Sequence, residues 1–322
     1  MDTLNTVIIN GISFTLPLFI MAVGGIYSER SGITNLALEG LQGAGAFVGA
    51  IAAFIVAKQF GSGSPLTIAA ALAFALLGGM AYSLLHAVLC IKFKADMVIS
   101  GVVVNILAMA FTAFLTKSVN RTVFGSPSDK IDLGVLPRIT VPGLSGVPVI
   151  GAFFTDVYPF VPVIIVLSVI FWFLLYKTPF GLHLRAAGDN PAAVDAAGVD
   201  VQRVRYISVM VSGALSGIAG ICFAYSISAK FSADIYMGYG YLSIAALIFG
   251  GWKIMPTLLA CLIFGFARSA GYQIVQKLGL PSSYSDIVMI LPYILTLLLL
   301  IVLAKNSQAP RALGEAYDKS KR

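Results

Sequence analysis

Asn190 and Pro191, followed by Ala192, Ala193, Ala196, Ala197 and Gly198, are the most informative group of residues in this chain. What they can do is mechanical. Asparagine caps a helix N-terminus, proline suits the first helical position, alanine propagates the helix, and glycine suits its C-terminal end. The spacing predicts a helix of about two turns inside the polar stretch 177–204, with Arg185, Gly188 and Asp189 leading into it. A second group is polar or aromatic in apolar surroundings: Glu39, Ser100, Asn105, Tyr239, Tyr241 and Trp252. An ionisable or amide side chain at membrane depth is costly and calls for a partner. Glu39 either meets a neighbouring helix end or faces a pathway. The Asn105 amide offers donor and acceptor, to another helix or to a polar substrate. The tyrosines and Trp252, with Tyr236, form either an interfacial aromatic belt or a platform on which a planar ligand stacks. Arg268 lies near a span end, where a long side chain snorkels.

Bond-making chemistry is not provided for. HExxH, GxSxG and GxxxxGK[ST] are absent, and His86 and His183 are too far apart for a metal site. Cys90, Cys222 and Cys261 are scattered through apolar segments without metal-like spacing. These features imply no catalytic residues, no metal and no cofactor. They also leave no room for a nucleotide-binding fold, so any energy source lies in another polypeptide.

The elements that position these residues are membrane spans. Of the 322 residues, 58% are hydrophobic and 11% charged, and the mean hydropathy is +0.93. No water-soluble fold uses so much apolar surface. The apolar runs are long enough for helices rather than barrel strands, so the fold class is all-α, polytopic and multi-pass in the lipid bilayer. The expected spans are 6–27, 34–57, 66–91, 97–117, 159–176, 205–229, 242–252, 256–274 and 287–304. That is about nine helices, eight to ten allowing for boundary error. The 242–252 run is too short to cross as a regular helix and, with Gly238, Gly240, Gly250 and Gly251 around it, is expected to be broken or re-entrant. Residues 1–322 form a single transmembrane domain, and the N-terminus lacks the pattern of a cleaved signal peptide.

Basic residues orient the chain. With 177–204 and the tail 305–322 inside, Arg30, Lys92, Lys94, Lys177, Arg185, Arg203, Arg205, Lys253, Lys305, Arg311, Lys319, Lys321 and Arg322 gather on the cytoplasmic side. Lys58, Lys117, Arg121, Lys130, Arg138, Lys230 and Lys277 then face out, with 118–158 as an outer loop. The net charge of +7 therefore reads as a topology signal, not as nucleic-acid binding.

The stretch Leu184–Val199, reading LRAAGDNPAAVDAAGV, resembles the RAxGxNPxAAxxxGI loop of permeases from ATP-binding-cassette importers, in particular the ribose and branched-chain-amino-acid type. Ser212–Gly220 (SGALSGIAG) is similar to that family's SGALAGLAG helix. Phe231–Pro256 is similar to its segment built around M-x-x-G-x-G and FG-x-W-x-P. Thr34–Gly40, together with Ile99-Ser100-Gly101 and Asn105, resembles the shorter of the two permeases in nucleoside importers. The resemblance covers roughly 11–304. It implies a bacterial cytoplasmic-membrane importer with a separate ATPase subunit, a second and longer permease as heterodimer partner, and an extracytoplasmic substrate-binding lipoprotein. It further implies that Arg185, Gly188, Asp189, Asn190, Pro191, Ala193 and Gly198 form the coupling loop that docks on the ATPase. Tyr239 stands where nucleoside members carry arginine, and Asp189 where they carry glutamate. The first departure leaves nucleoside, riboflavin or sugar cargo open. An ion-coupled transporter is the rival class, but Glu39 is nearly alone as a carboxylate to bind the coupling ion.

Overall fold

The computed structural model describes residues 2–303 and 309–318, apart from 126, 141, 144, 146–149, 280 and 282–289. The start of the expected 287–304 span and both ends of 305–322 lie outside the described residues. The helices are α1 (Asp2–Arg30), α2 (Leu38–Phe60), α3 (Pro65–Ala87), α4 (Met97–Thr122), α5 (Phe160–Lys177), α6 (Pro179–Asp189), α7 (Pro191–Ala196), α8 (Val201–Ile227), α9 (Tyr239–Phe249), α10 (Ile254–Lys277) and α11 (Leu291–Leu303). A π-helical turn, Val88–Lys92, extends α3. Two short strands, β1 (Ile131–Asp132) and β2 (Lys230–Phe231), pair antiparallel and tie the 118–158 loop to the end of α8.

The chain is an all-α polytopic membrane protein. Among the described residues seven helices are long and apolar enough to cross a bilayer: α1 to α5, α8 and α10. The 177–204 stretch is shorter as a loop than expected, because α6 and α7 occupy most of it and Asp200 caps α8 by accepting the Arg203 N–H at 3.1 Å. At the other face α4 continues to Thr122, into the expected 118–158 loop.

α8 is the axis of the bundle. Of its apolar window 83% is buried within the chain, against 22% for α5. Its glycines make that position possible. A Cβ on Gly213 would strike the Gly79 carbonyl and the Ser83 side chain, and one on Gly217 would strike the Ala75 carbonyl; Gly45 of α2 abuts the Gly217 Cα. Helices α2, α3 and α8 thus cross backbone against backbone, as small residues allow within membranes.

Between α1 and α2 the chain is irregular, yet buried. Exposed polar backbone is not tolerated in lipid, so each group needs an internal partner. Arg205 Nε donates to Ser31 O at 3.1 Å, His86 Nε2 to Thr34 O at 3.1 Å, and Asn105 Nδ2 to Leu36 O at 2.8 Å. Asn35 Nδ2 donates to Ser212 Oγ at 2.9 Å while its Oδ1 accepts from the Ala37 N–H.

α9 spans 11 residues, about 16 Å and so about half a bilayer core. It begins and ends three residues before the expected 242–252 run. Gly238 at φ +84° starts it, and Gly250, Gly251 and Trp252 stop it, the last two with positive φ.

Candidate functional site

Two assemblies contain the residues singled out from the sequence. The first lies on the face that carries Arg30, Lys94, Lys177 and Arg203. Thr178 caps α6, its Oγ1 accepting the Gly181 N–H at 3.3 Å. Arg185 donates from Nε to Gly181 O at 3.2 Å and sets its guanidinium 5.6 Å from the Tyr176 ring centre. Gly188 is buried against the Arg30 carbonyl, where a Cβ would overlap it. Asp189, exposed, ends α6.

α7 follows at once. Asn190 Oδ1 accepts the Ala193 N–H at 3.0 Å, and Pro191 occupies the first turn. At the other end the Gly198 N–H donates to Asp195 O at 3.0 Å and the Val199 N–H to Val194 O at 3.2 Å, with Gly198 at φ +83°. That pattern of two bonds closing on a left-handed glycine is a Schellman motif. Val194 anchors the helix in the core, and Ala192, Ala193, Ala196 and Ala197 are exposed. The loop therefore presents a small, rigid, capped helix with a smooth alanine surface.

Residues 309–318 also bind this face. The Ala312 N–H donates to Gly188 O at 2.8 Å and the Gly314 N–H to Gly32 O at 3.0 Å. Arg205 Nη1 donates to Glu315 O at 3.0 Å, and Lys94 pairs with Asp318 at 2.7 Å. Sequence reasoning treated this segment as a tail. Its only local signal is the Ala312-Leu313-Gly314 run among charged residues.

The second assembly lies around the start of α9. Glu39 accepts the N–H groups of Gly238, at 2.8 Å, and of Gly240. A carboxylate at a helix N-terminus is favoured both by the free N–H donors and by the helix dipole. Asn105 Oδ1 accepts the Gly40 N–H at 2.7 Å, while Nδ2 donates to Leu36 O and to the Tyr241 hydroxyl at 3.0 Å. One amide thus joins α4, the start of α2 and α9. Tyr239 is buried with its ring against Phe14 and Phe223, centres 5.1 and 4.8 Å away, and its hydroxyl donates to Met237 Sδ.

Glu39, Asn105, Tyr239 and Tyr241 are therefore brought together. Ser100 belongs to a neighbouring network. His86 donates from Nε2 to Thr34 O, and in that neutral tautomer its Nδ1 accepts from Ser100 Oγ at 2.9 Å. Trp252 lies at the opposite end of α9. Its indole N–H donates to Glu29 Oε2 at 2.6 Å, and its carbonyl accepts from Arg30 Nε at 3.1 Å. Sequence reasoning missed Glu29, because a carboxylate beside Arg30 at a span end reads as solvated. Arg268, expected near a span end as a snorkelling side chain, turns its guanidinium inward to Phe14, Tyr239 and Tyr272.

Among known proteins, the family described as branched-chain amino acid transport system permease component matches residues 7–300. The guanosine ABC transporter permease protein NupQ of Bacillus subtilis is 39% identical over 96% of this chain and 95% of its own. The nucleoside ABC transporter permease protein NupC of Lactococcus lactis is 36% identical over 99% of both chains. The ribose import permease protein RbsC of Haemophilus influenzae is 29% identical over 81% of this chain and 74% of its own. No solved structure matches the chain significantly.

Proposed function

The chain belongs to the family of branched-chain amino acid transport system permease components, and on that premise we propose that it carries nucleosides inward as the permease of an ATP-binding-cassette importer. It is a transport subunit and not an enzyme. The observation that carries the nucleoside assignment is similarity along nearly the whole chain to a guanosine and a nucleoside permease. Alternating access is driven by hydrolysis in a separate ATPase subunit. The partners are that ATPase, an extracytoplasmic substrate-binding lipoprotein and a second, longer permease forming a heterodimer, all at a bacterial cytoplasmic membrane.

In this reading 177–204 and 305–322 are cytoplasmic and 118–158 is the outer loop. α9 is re-entrant, and α11 completes the crossings towards the expected count of about nine. The capped α7 docks in a groove of the ATPase, held by Asn190, Pro191 and Gly198, with Ala193 at the contact. Arg185, Gly188 and Asp189 fix the approach. Tyr239 and Tyr241 border the cargo pathway. Glu39, Ser100, Asn105 and Trp252 hold the elements that shape it through their hydrogen bonds within the chain.

The test is ATP hydrolysis by the reconstituted complex with its binding protein, across nucleosides, riboflavin and pentoses. Stimulation by a nucleoside at the lowest concentration is the expected result. Stimulation by ribose or riboflavin alone would overturn the cargo assignment and keep the permease.

A further inference from the structure

Arg268 sits on α10, nine residues before its end, with its side chain turned into the protein. Its guanidinium lies 4.4 Å from the ring centre of Phe14 and 5.0 Å from that of Tyr272. A guanidinium carries five N–H donors. Among the described residues, one of them has an acceptor, the Tyr239 hydroxyl, at a long 3.4 Å from Nη2. The Nε–H is buried with no partner, and no described carboxylate forms an ion pair with the group. A buried donor without a partner is costly, and the partly exposed guanidinium has N–H groups left for an acceptor from outside the chain.

There is space for one. A cavity of about 330 Å³ opens beside Arg268, at the small end of the range for small-molecule sites. Phe14 and Tyr272 give it aromatic walls. Asn10, Ser13, Ser226 and Ser269 give it amide and hydroxyl groups. Ser13 and Ser269 donate to Ile9 O and Val7 O, which leaves their oxygen lone pairs free to accept. The walls suit a flat ring, the hydroxyl lining suits a sugar, and the guanidinium fork suits two adjacent acceptors in one plane.

Among nucleosides, the 6-oxopurines have that edge. O6 and N7 are neighbouring acceptors that arginine binds bidentately, whereas adenine replaces O6 with an amino donor. A base held edge-on to the guanidinium would lie within the same aromatic bracket. We infer that Arg268 reads the O6/N7 edge of a 6-oxopurine nucleoside in this cavity and makes the permease favour guanosine and inosine over adenosine and uridine. The inference rests on the nucleoside reading above.

The experiment measures uptake of labelled guanosine, inosine, adenosine and uridine into vesicles holding the whole complex, with wild-type chain, Arg268→Gln or Arg268→Lys. The binding protein is the same in every arm, so a changed preference belongs to the permease. Guanosine and inosine uptake should fall about tenfold relative to adenosine, about 1.4 kcal/mol. Arg268→Lys should not restore it, because an ammonium keeps the charge and loses the fork. An unchanged guanosine-to-adenosine ratio in the inserted Arg268→Lys protein, or an equal loss of all four nucleosides, would overturn the assignment. If Arg268→Gln fails to insert, Arg268→Lys decides. A wild-type complex that takes up none of the four would overturn the nucleoside reading itself, and this inference with it; one that takes up guanosine with a ratio indifferent to Arg268 would overturn this inference alone.

Discussion

Glu39 has two carboxylate oxygens and two backbone donors to satisfy, the N–H groups of Gly238 and Gly240. Glu39→Gln keeps one acceptor and turns an amino group towards an N–H. A buried donor left unsatisfied costs about 1–3 kcal/mol, so the solubilised complex should melt lower. Transport capacity should fall while the half-saturating cargo concentration holds. A shifted half-saturation with unchanged melting would instead place Glu39 against the cargo. Asn105→Leu strands the Gly40 N–H and the Leu36 carbonyl, and should have the same signature. Because both side chains fix the start of α2 against α9, the double variant should lose less than the sum of the singles. The sequence made both residues conspicuous, since polarity at membrane depth has a cost that composition alone exposes. It did not reveal their partners, which come from segments far apart in the chain. Arg268 was harder still. α10 is apolar around most of its circumference, so no face of it marks itself as the inner one.

α7 is the element read most fully from sequence, because everything that makes it is local: cap, proline, alanines and terminal glycine lie within nine consecutive residues, Asn190–Gly198. Asn190→Ala should cost about 1 kcal/mol of helix stability, seen as faster amide exchange across 192–197. Ala193→Arg tests the contact rather than the fold. Ala193 is exposed, so arginine disturbs nothing inside the chain and the protein should insert normally. On the smooth alanine face it should block docking, abolishing uptake and cargo-stimulated ATP hydrolysis together. Uptake at the wild-type rate would remove α7 from the coupling. α9 was legible in length and not in register. Hydropathy locates the apolar run, but its first turn is fixed by the distant Glu39 carboxylate and by Tyr239 packing on Phe14, and the run alone carries neither.

At the scale of the molecule, the 177–204 stretch, the irregular α1–α2 leg and the start of α8 meet at one place, and residues 309–318 fasten them. Gly188 and Gly32 give their carbonyls to this segment, Arg205 reaches its Glu315 carbonyl, and Lys94 holds Asp318. The ion pair contributes little by itself, since both side chains are partly exposed and such pairs are worth about 0–1 kcal/mol. The backbone bonds matter more, because they fix Gly188 two residues before the Asn190 cap. In the proposed coupling, motion imposed on α7 passes to α1, α2 and α8 through the joint that this segment fastens. Gly314 has φ +82°, a conformation a β-branched residue resists. Gly314→Val should release the segment while leaving every span intact. Deuterium uptake over 184–198 should rise, the melting temperature should drop by a few degrees, and more ATP should be hydrolysed per molecule of cargo moved. Lys94→Ala should reproduce these effects only weakly. If Gly314→Val left exchange over 184–198 and the ATP-to-cargo ratio at wild-type values, the segment would be a passenger, and the stiffness of the joint would have to come from Gly188 packed on the Arg30 carbonyl.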